Sequence, residues 1–148
     1  FGLIKVNDDP YVIEYNVRMG DPESEVVLPR IKSDLLALLY AAGNGNLKDH
    51  NIIIDDKKSV TVFLVSGGYP EQYEKNKEIF GLDSVVDSLV FHAGAKCDDA
   101  KVKTNGGRVI AVTSMGNSVQ EALEKSYNSI KKISFEKMYY RKDIGFDL

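Results

Sequence analysis

From Tyr11 to Val17 apolar and polar side chains alternate, and the run ends in Arg18-Met19-Gly20-Asp21-Pro22-Glu23, where a glycine and a proline stop a strand from continuing. Successive strand side chains point to opposite faces, so Tyr11, Ile13, Tyr15 and Val17 share one face while Glu14, Asn16 and Arg18 share the other. The pattern dictates a strand with one apolar and one chemically equipped face, feeding a polar loop. Glu14 and Asn16, two residues apart, are separated by about 7 Å along such a strand. A carboxylate and a carboxamide are hard oxygen ligands, suited to a divalent cation held jointly with substrate phosphates. Arg18 adds a permanently charged fork that matches phosphate or acyl phosphate oxygens. A polar edge-strand face gives the same triplet, so spacing by itself leaves metal binding and plain solvation both open.

Leu3 to Val6 reads as a partner strand, joined to Tyr11–Val17 through Asn7-Asp8-Asp9-Pro10, a polar turn whose proline ends the first strand. Asp21 before Pro22 predicts a cap and first turn of a short helix, with Glu23 and Glu25 near its positive end. Ser33 is placed as the cap of a second helix whose Leu35, Leu36, Leu38, Leu39 and Ala42 form an apolar stripe, stopped by Gly43-Asn44-Gly45-Asn46. Ser59 to Ser66, Ser88 to Lys96, Ala100 to Thr104 and Arg108 to Ser114 predict strands. Asn105-Gly106 between the last two is a hairpin signal, since type I′ turns need positive φ at both central residues. Ser118-x-x-Glu121 opens a helix with Val119, Leu123, Tyr127 and Ile130 on one face. Strands joined by short turns predict antiparallel pairing in a small α+β fold.

With 148 residues and 43% hydrophobic content, the chain can bury a core as one domain. A net charge of -3 speaks against broad binding of nucleic acid or anionic membranes, and no run is long enough to span a bilayer. The chain opens inside an apolar alternation, without an initiator Met or a signal-peptide core, and a cytoplasmic protein is expected. Cys97, the only cysteine, excludes an intrachain disulfide and reads as an inert turn residue. His92, in an apolar run without a second His or Cys nearby, reads as a packing histidine. Gly67-Gly68-Tyr69-Pro70 could bring amides near an anion, but it lacks the spacing and lysine of a phosphate loop, which favours a plain turn. Lys131-Lys132 and Arg141-Lys142 read as solvated, and Tyr139-Tyr140 as closing the domain against its sheet.

Arg18-x-Gly20-Asp21-Pro22-Glu23, preceded by Glu14-x-Asn16, resembles the signature of the glycinamide ribonucleotide synthetase (phosphoribosylamine-glycine ligase) family, ATP-grasp enzymes of purine biosynthesis. Val65-Ser66-Gly67-Gly68-Tyr69-Pro70, Phe91-His92-Ala93-Gly94, Thr104-Asn105-Gly106-Gly107-Arg108-Val109 and Tyr140-Arg141-Lys142-Asp143-Ile144-Gly145 resemble further family segments in family order. Met19 stands where the family usually has Phe, Glu25 where Gln or Met is common, Asn76 where Gly is usual and Ala95 where Thr is usual. The resemblance implies the end of an ATP-grasp subdomain over 1–46, then a small, mainly antiparallel C-terminal domain over 47–148, with the Gly43–Asn46 stretch as the seam.

It also implies a ligase that phosphorylates glycine with ATP and passes the glycyl group to 5-phosphoribosylamine. Glu14 and Asn16 would be ligands of Mg2+ or Mn2+, Glu14 bridging ions and Asn16 serving as a neutral ligand. Arg18 would steady the phosphoryl or acyl phosphate group. Asp21 and Glu23 would position glycine or the amine, or hold Arg18, a choice the sequence leaves open. Gly67, Gly68, Asn105, Gly106 and Arg108 are the implied substrate contacts. The family's nucleotide-binding lysines would precede Phe1, so the expected partner is the N-terminal portion of the same enzyme, and the 148-residue chain alone is expected to be inactive. The alternatives are another ATP-grasp ligase or carboxylase sharing the Glu-x-Asn strand, from which the Arg18–Glu23 loop points away, and a noncatalytic binding module whose polar strand face meets a partner protein.

Overall fold

Val60, Val62 and Leu64 alternate with Thr61, Phe63 and Val65, and this period of two becomes the strand on which the fold is built. A computed structural model describes residues 1–146. In chain order its elements are β1 (Gly2–Val6), β2 (Asp9–Glu14), α1 (Glu23–Val27), α2 (Leu35–Gly43), β3 (Lys58–Val65), β4 (Leu89–His92), β5 (Ala95–Asp98), β6 (Lys101–Thr104), β7 (Arg108–Gly116) and α3 (Val119–Ile130). The central sheet has the order β3-β7-β4, and β1-β2 and β5-β6 form two-stranded sheets, every pairing being antiparallel. The result is a small mixed α/β fold with antiparallel sheets.

The core lies between the central sheet and α3. Val60, Val62 and Leu64 of β3 and Ile110 and Val112 of β7 meet Ala122, Leu123 and Ile130 of α3, with Ile79, Ile133 and Phe135 closing the cluster. Ser118 caps α3 by accepting the Glu121 N–H at 3.1 Å, the serine half of the expected capping box, while the Glu121 carboxylate reaches one residue further back and accepts the Asn117 N–H at 2.8 Å. The expected apolar face forms too, with Leu123 and Ile130 buried and Val119 and Tyr127 packed against the cluster. Four hydroxyls seat the helix: Ser88 contacts Ser114 at 2.7 Å and Ser129 at 2.6 Å, and Ser126 donates to Ser114 at 2.9 Å.

Several local expectations are corrected. Asn7 and Asp8 alone, both at positive φ, form the first hairpin turn, and Asp9 and Pro10 belong to β2, Pro10 opposite Lys5. This strand tolerates proline because the two-stranded sheet has open edges where no N–H is needed. β2 ends at Glu14, leaving Asn16 and Arg18 beyond it. Pro22, not Asp21, is the cap residue of α1 and makes no side-chain cap bond. Asp34, not Ser33, caps α2 by accepting the Ala37 N–H at 3.0 Å, because the Ser33 hydroxyl is engaged with the backbone of Asn51 and Ile53. On α2 only Leu38 and Ala41 are buried, and Leu36 and Leu39 are exposed.

Ser88 to Lys96 is two strands, separated where Ala93 and Gly94 bond back to Val109 and Arg108. Asn105-Gly106 is not a hairpin turn: β6 pairs with β5 through Asp99-Ala100, both at positive φ, and β7 turns away to pair with β3 and β4. Cys97 is exposed on β5 rather than in a turn, and His92 is exposed at the end of β4 rather than packed in the core. Tyr139 bridges Val65 through its backbone while its ring stays exposed, and Tyr140 packs against the core.

A chain of charges fastens the segment after Tyr69-Pro70 to the one after Phe135. Glu74 accepts from Lys137 and from Lys77, each at 2.7 Å, and Lys77 reaches Glu136 at 2.9 Å. The Lys137 and Lys77 ammonium groups hold the Glu74 carboxyl down at about 2. A depressed carboxyl adds stability that is fully present above its unfolded value of 4.5 and lost as pH falls through the folded value of about 2. An NMR titration of the Glu74 side-chain carboxyl is expected to show a midpoint near 2; a midpoint near 4.5 would mean that the charge chain does not persist in solution.

Candidate functional site

The register of the first hairpin sets Gly2 opposite Glu14, and a Cβ on Gly2 would meet the Glu14 Cγ at 2.9 Å, so the glycine leaves room for that side chain. Phe1 packs edge-on against Tyr15 at 5.1 Å between ring centroids, which fixes the chain as it leaves β2. Although Asn16 lies past the end of the strand, its Nδ2 donates to the Glu14 Oε1 at 2.9 Å. A half-turn of the amide exchanges its NH2 for its carbonyl oxygen. The pair then offers two oxygen donors side by side.

Beyond Asn16 the chain folds back on itself. The Glu23 carboxylate accepts the Gly20 N–H at 2.7 Å, and the Gly20 carbonyl accepts from the Ser24 N–H and hydroxyl, each at 3.1 Å. The first turn of α1 is thus closed by Glu23 reaching back. Arg18 donates to the neighbouring Met19 carbonyl at 3.1 Å, and no carboxylate pairs with it among the described residues. Glu14, Asn16, Arg18, Asp21 and Glu23 line one open cavity of about 530 Å³.

Asp21 is held from the other end of the protein. Arg108 Nη2 donates to its Oδ2 at 2.8 Å and Nη1 to its backbone carbonyl at 3.2 Å, with the guanidinium 5.2 Å from the centroid of Phe63. A half-exposed pair of this kind contributes about 0–1 kcal/mol to stability. Its main effect is to fix a direction. Neither Asp21 nor Glu23 holds Arg18; their hydrogen-bond partners are Arg108 and the Gly20 N–H.

Gly67, Gly68, Asn105 and Gly106 gather in a second cluster outside that cavity. Ser66 donates its N–H to the Gly107 carbonyl at 2.8 Å and its hydroxyl to the Gly106 carbonyl at 2.9 Å, while the Asn105 N–H reaches the Gly94 carbonyl at 2.7 Å. A Cβ on Gly94 would lie 2.7 Å from the Gly106 Cα, and one on Gly67 would lie 2.6 Å from the Lys137 carbonyl. Close backbone packing therefore requires these glycines. Arg108 joins the two groups, accepting the Gly94 N–H at its carbonyl while its side chain reaches Asp21. Sequence reasoning missed the Asp21–Arg108 contact, because 87 residues separate the partners and no spacing rule reaches that far.

As a cation site, Glu14 and Asn16 fit by donor chemistry, one carboxylate and one carboxamide at hydrogen-bond distance in an open cavity. Among the described residues no three His, Cys, Asp or Glu side chains cluster into a cage. A cation here would complete its shell with water or substrate oxygens. Among the described residues no helix is long and apolar enough to cross a membrane.

A small mixed α/β fold with antiparallel sheets, carrying a cavity of carboxylates, carboxamide and guanidinium at one edge, defines the class of protein. The chain belongs to the phosphoribosylglycinamide synthetase C-domain family, whose model matches residues 59–147. A phosphoribosylamine–glycine ligase of Caldanaerobacter subterraneus subsp. tengcongensis is 46% identical over 144 residues, 97% of this chain and 34% of that protein. A bifunctional purine biosynthetic protein of Schizosaccharomyces pombe is 45% identical over 97% of this chain and 18% of its own length. The crystal structure of a phosphoribosylamine–glycine ligase from Thermotoga maritima superposes with a TM-score of 0.77 and 35% identity, over 96% of this chain and 35% of that one. The chain spans about a third of the length of the curated ligases it matches.

Gly68 sits at φ +96°, and a Cβ there would collide with the Gln72 carbonyl. Gly68→Ala is expected to cost about 1–3 kcal/mol, measured by urea unfolding. A loss under about 0.5 kcal/mol would show that the 67–72 turn relaxes freely.

Proposed function

We propose that this chain is the C-terminal part of an ATP-dependent ligase that joins glycine to 5-phosphoribosylamine. Residues 1–46 would end its ATP-grasp region and residues 47–148 form its terminal domain, in an enzyme of the cytoplasm. The observation that carries the reading is the meeting of Glu14, Asn16, Arg18, Asp21 and Glu23 on one cavity, in a chain of this family.

The chemistry needs charge neutralisation. A glycine carboxylate must attack the γ-phosphorus of ATP although both partners are anionic; the P–O bond to ADP breaks as the glycyl phosphate forms. The amine nitrogen of 5-phosphoribosylamine then attacks the glycyl carbonyl, phosphate leaves, and the nitrogen loses a proton. Glu14 and Asn16 are the residues that would hold magnesium or manganese, which when bound supplies positive charge between carboxylate and phosphate. Arg18, with no carboxylate partner among the described residues, is available to grip the transferring phosphoryl or the acyl phosphate oxygens. Glu23, tied to the Gly20 N–H, shapes the loop and keeps a second carboxylate oxygen for the substrate amine. The glycine cluster around Gly67, Gly68, Asn105 and Gly106 is proposed to bound the substrate space from the terminal domain.

In the intact enzyme Glu14→Ala is expected to lower ligation on the order of 10²-fold or more, the scale of losing one charge-stabilising contact. Thermal unfolding is expected to change little, since Glu14 is exposed. Near-normal turnover at saturating magnesium would overturn the assignment. In calorimetry, magnesium with ADP is expected to bind the intact enzyme and not the 148-residue chain, and tight binding by the chain alone would contradict the proposed upstream nucleotide pocket.

A further inference from the structure

Arg108 reaches Asp21 because of an irregularity in the ladder between β3 and β7. From Lys58 to Leu64 the strands pair one to one, ending at Leu64 opposite Ile110, and the register then slips so that Val65 faces Arg108. Val109 is the extra residue of a β-bulge. Side chains of directly opposed residues share a face. With Leu64 and Ile110 both buried on the face covered by α3, an unbroken alternation would point Arg108 toward that same core face. The slip turns Arg108 to the opposite face, beside Val65 and Phe63, where the Phe63 ring supports its guanidinium at 5.2 Å. The backbone is fixed there as well, since the Gly94 N–H binds the Arg108 carbonyl at 2.7 Å and glycines at 94 and 106 permit that approach.

We propose that Arg108 is a positioning residue, not a substrate contact: through Asp21 it holds the Arg18–Glu23 loop in place beside Glu14 and Asn16, and the bulge at Val109 aims it there. The kinetic part of this inference rests on the ligase reading above. Both nitrogens that face the loop are spent on one residue, Nη2 on the Asp21 carboxylate and Nη1 on its carbonyl, which fixes the position and the orientation of that peptide. Arg18, Gly20 and Glu23 all lie within three residues of it. A guanidinium committed in this way acts on the reaction by placing other groups, and misplacement of a reacting group by about 1 Å costs on the order of 10²-fold in rate.

The test compares Arg108→Ala, Arg108→Lys, Asp21→Asn and the Arg108→Ala/Asp21→Asn double variant in the intact enzyme. Arg108→Ala is expected to lower kcat by about 10- to 100-fold while the KM for 5-phosphoribosylamine stays within about twofold. Arg108→Lys is expected to recover part of the loss, and the double variant to be no worse than Arg108→Ala. A raised KM for 5-phosphoribosylamine with kcat intact, or losses that multiply in the double variant, would overturn the proposal. Nitrogen-15 NMR of the 148-residue chain reads the loop without turnover: the Gly20 and Glu23 amide signals are expected to shift in Arg108→Ala and much less in Arg108→Lys. Unmoved signals in Arg108→Ala overturn the proposal whatever the enzyme does. If the intact wild-type protein shows no ligation while these signals respond, the ligase reading fails and the loop coupling stands.

Discussion

The pairing of β3 with β7 is the constraint from which the rest of the structure is hung. Its residues from Val60 to Val65 present one face to α3 and the other to the loop that carries Asp21, so one ladder serves the core and the candidate site. The inward face is closed by apolar side chains, each contributing about 1.5–3 kcal/mol when fully buried. It also contains a hydroxyl chain through Ser88, Ser114, Ser126 and Ser129, whose members satisfy one another. The ladder is regular along the core and irregular at its final step. That division matches the two jobs, since uniform alternation packs a helix and a bulge redirects one side chain.

What could be read from the residues follows the range of the interactions. The inward alternation of β3, the cap of α3 and its apolar face depend on neighbours within a few positions, and they form as expected. Hairpin turns proved less legible. Asn105-Gly106 carries the residue types of a type I′ turn, yet the chain crosses there to the central sheet, because Arg108 to Gly116 pairs on both edges, with the eight residues of β3 and the four of β4. Asp99-Ala100 makes the turn instead, with an alanine at positive φ that no propensity rule would select. In the candidate site the nearness of Glu14 and Asn16 along the chain was legible, although the strand expected to carry both ends at Glu14 and the Asn16 side chain meets it from beyond. The tie from Asp21 to Arg108 was not, since it depends on a register slip that leaves no mark on local composition.

The two ends of the candidate site differ in how firmly they are built. Arg108 stands on a strand buried along most of its length, braced by Phe63 and by glycines that allow backbones to touch. Glu14 stands on a two-stranded hairpin in which all six residues of β2 are exposed. A two-stranded hairpin is marginally stable at best in water without a surface to cover it. The loop from Arg18 to Glu23 lies between these extremes and takes its order from both.

The exposed hairpin has a thermodynamic consequence. Whatever settles on Glu14 and Asn16 must also supply the free energy that keeps β1 and β2 paired, so the apparent affinity is the intrinsic affinity multiplied by the fraction of molecules already ordered. A neighbour that covered Ile4 and Tyr11, opposed on one face of the hairpin, would raise that fraction and tighten any binding at Glu14 and Asn16 without touching either residue. The hairpin is therefore a point of linkage, at which burial of apolar surface on one side is felt as affinity on the other.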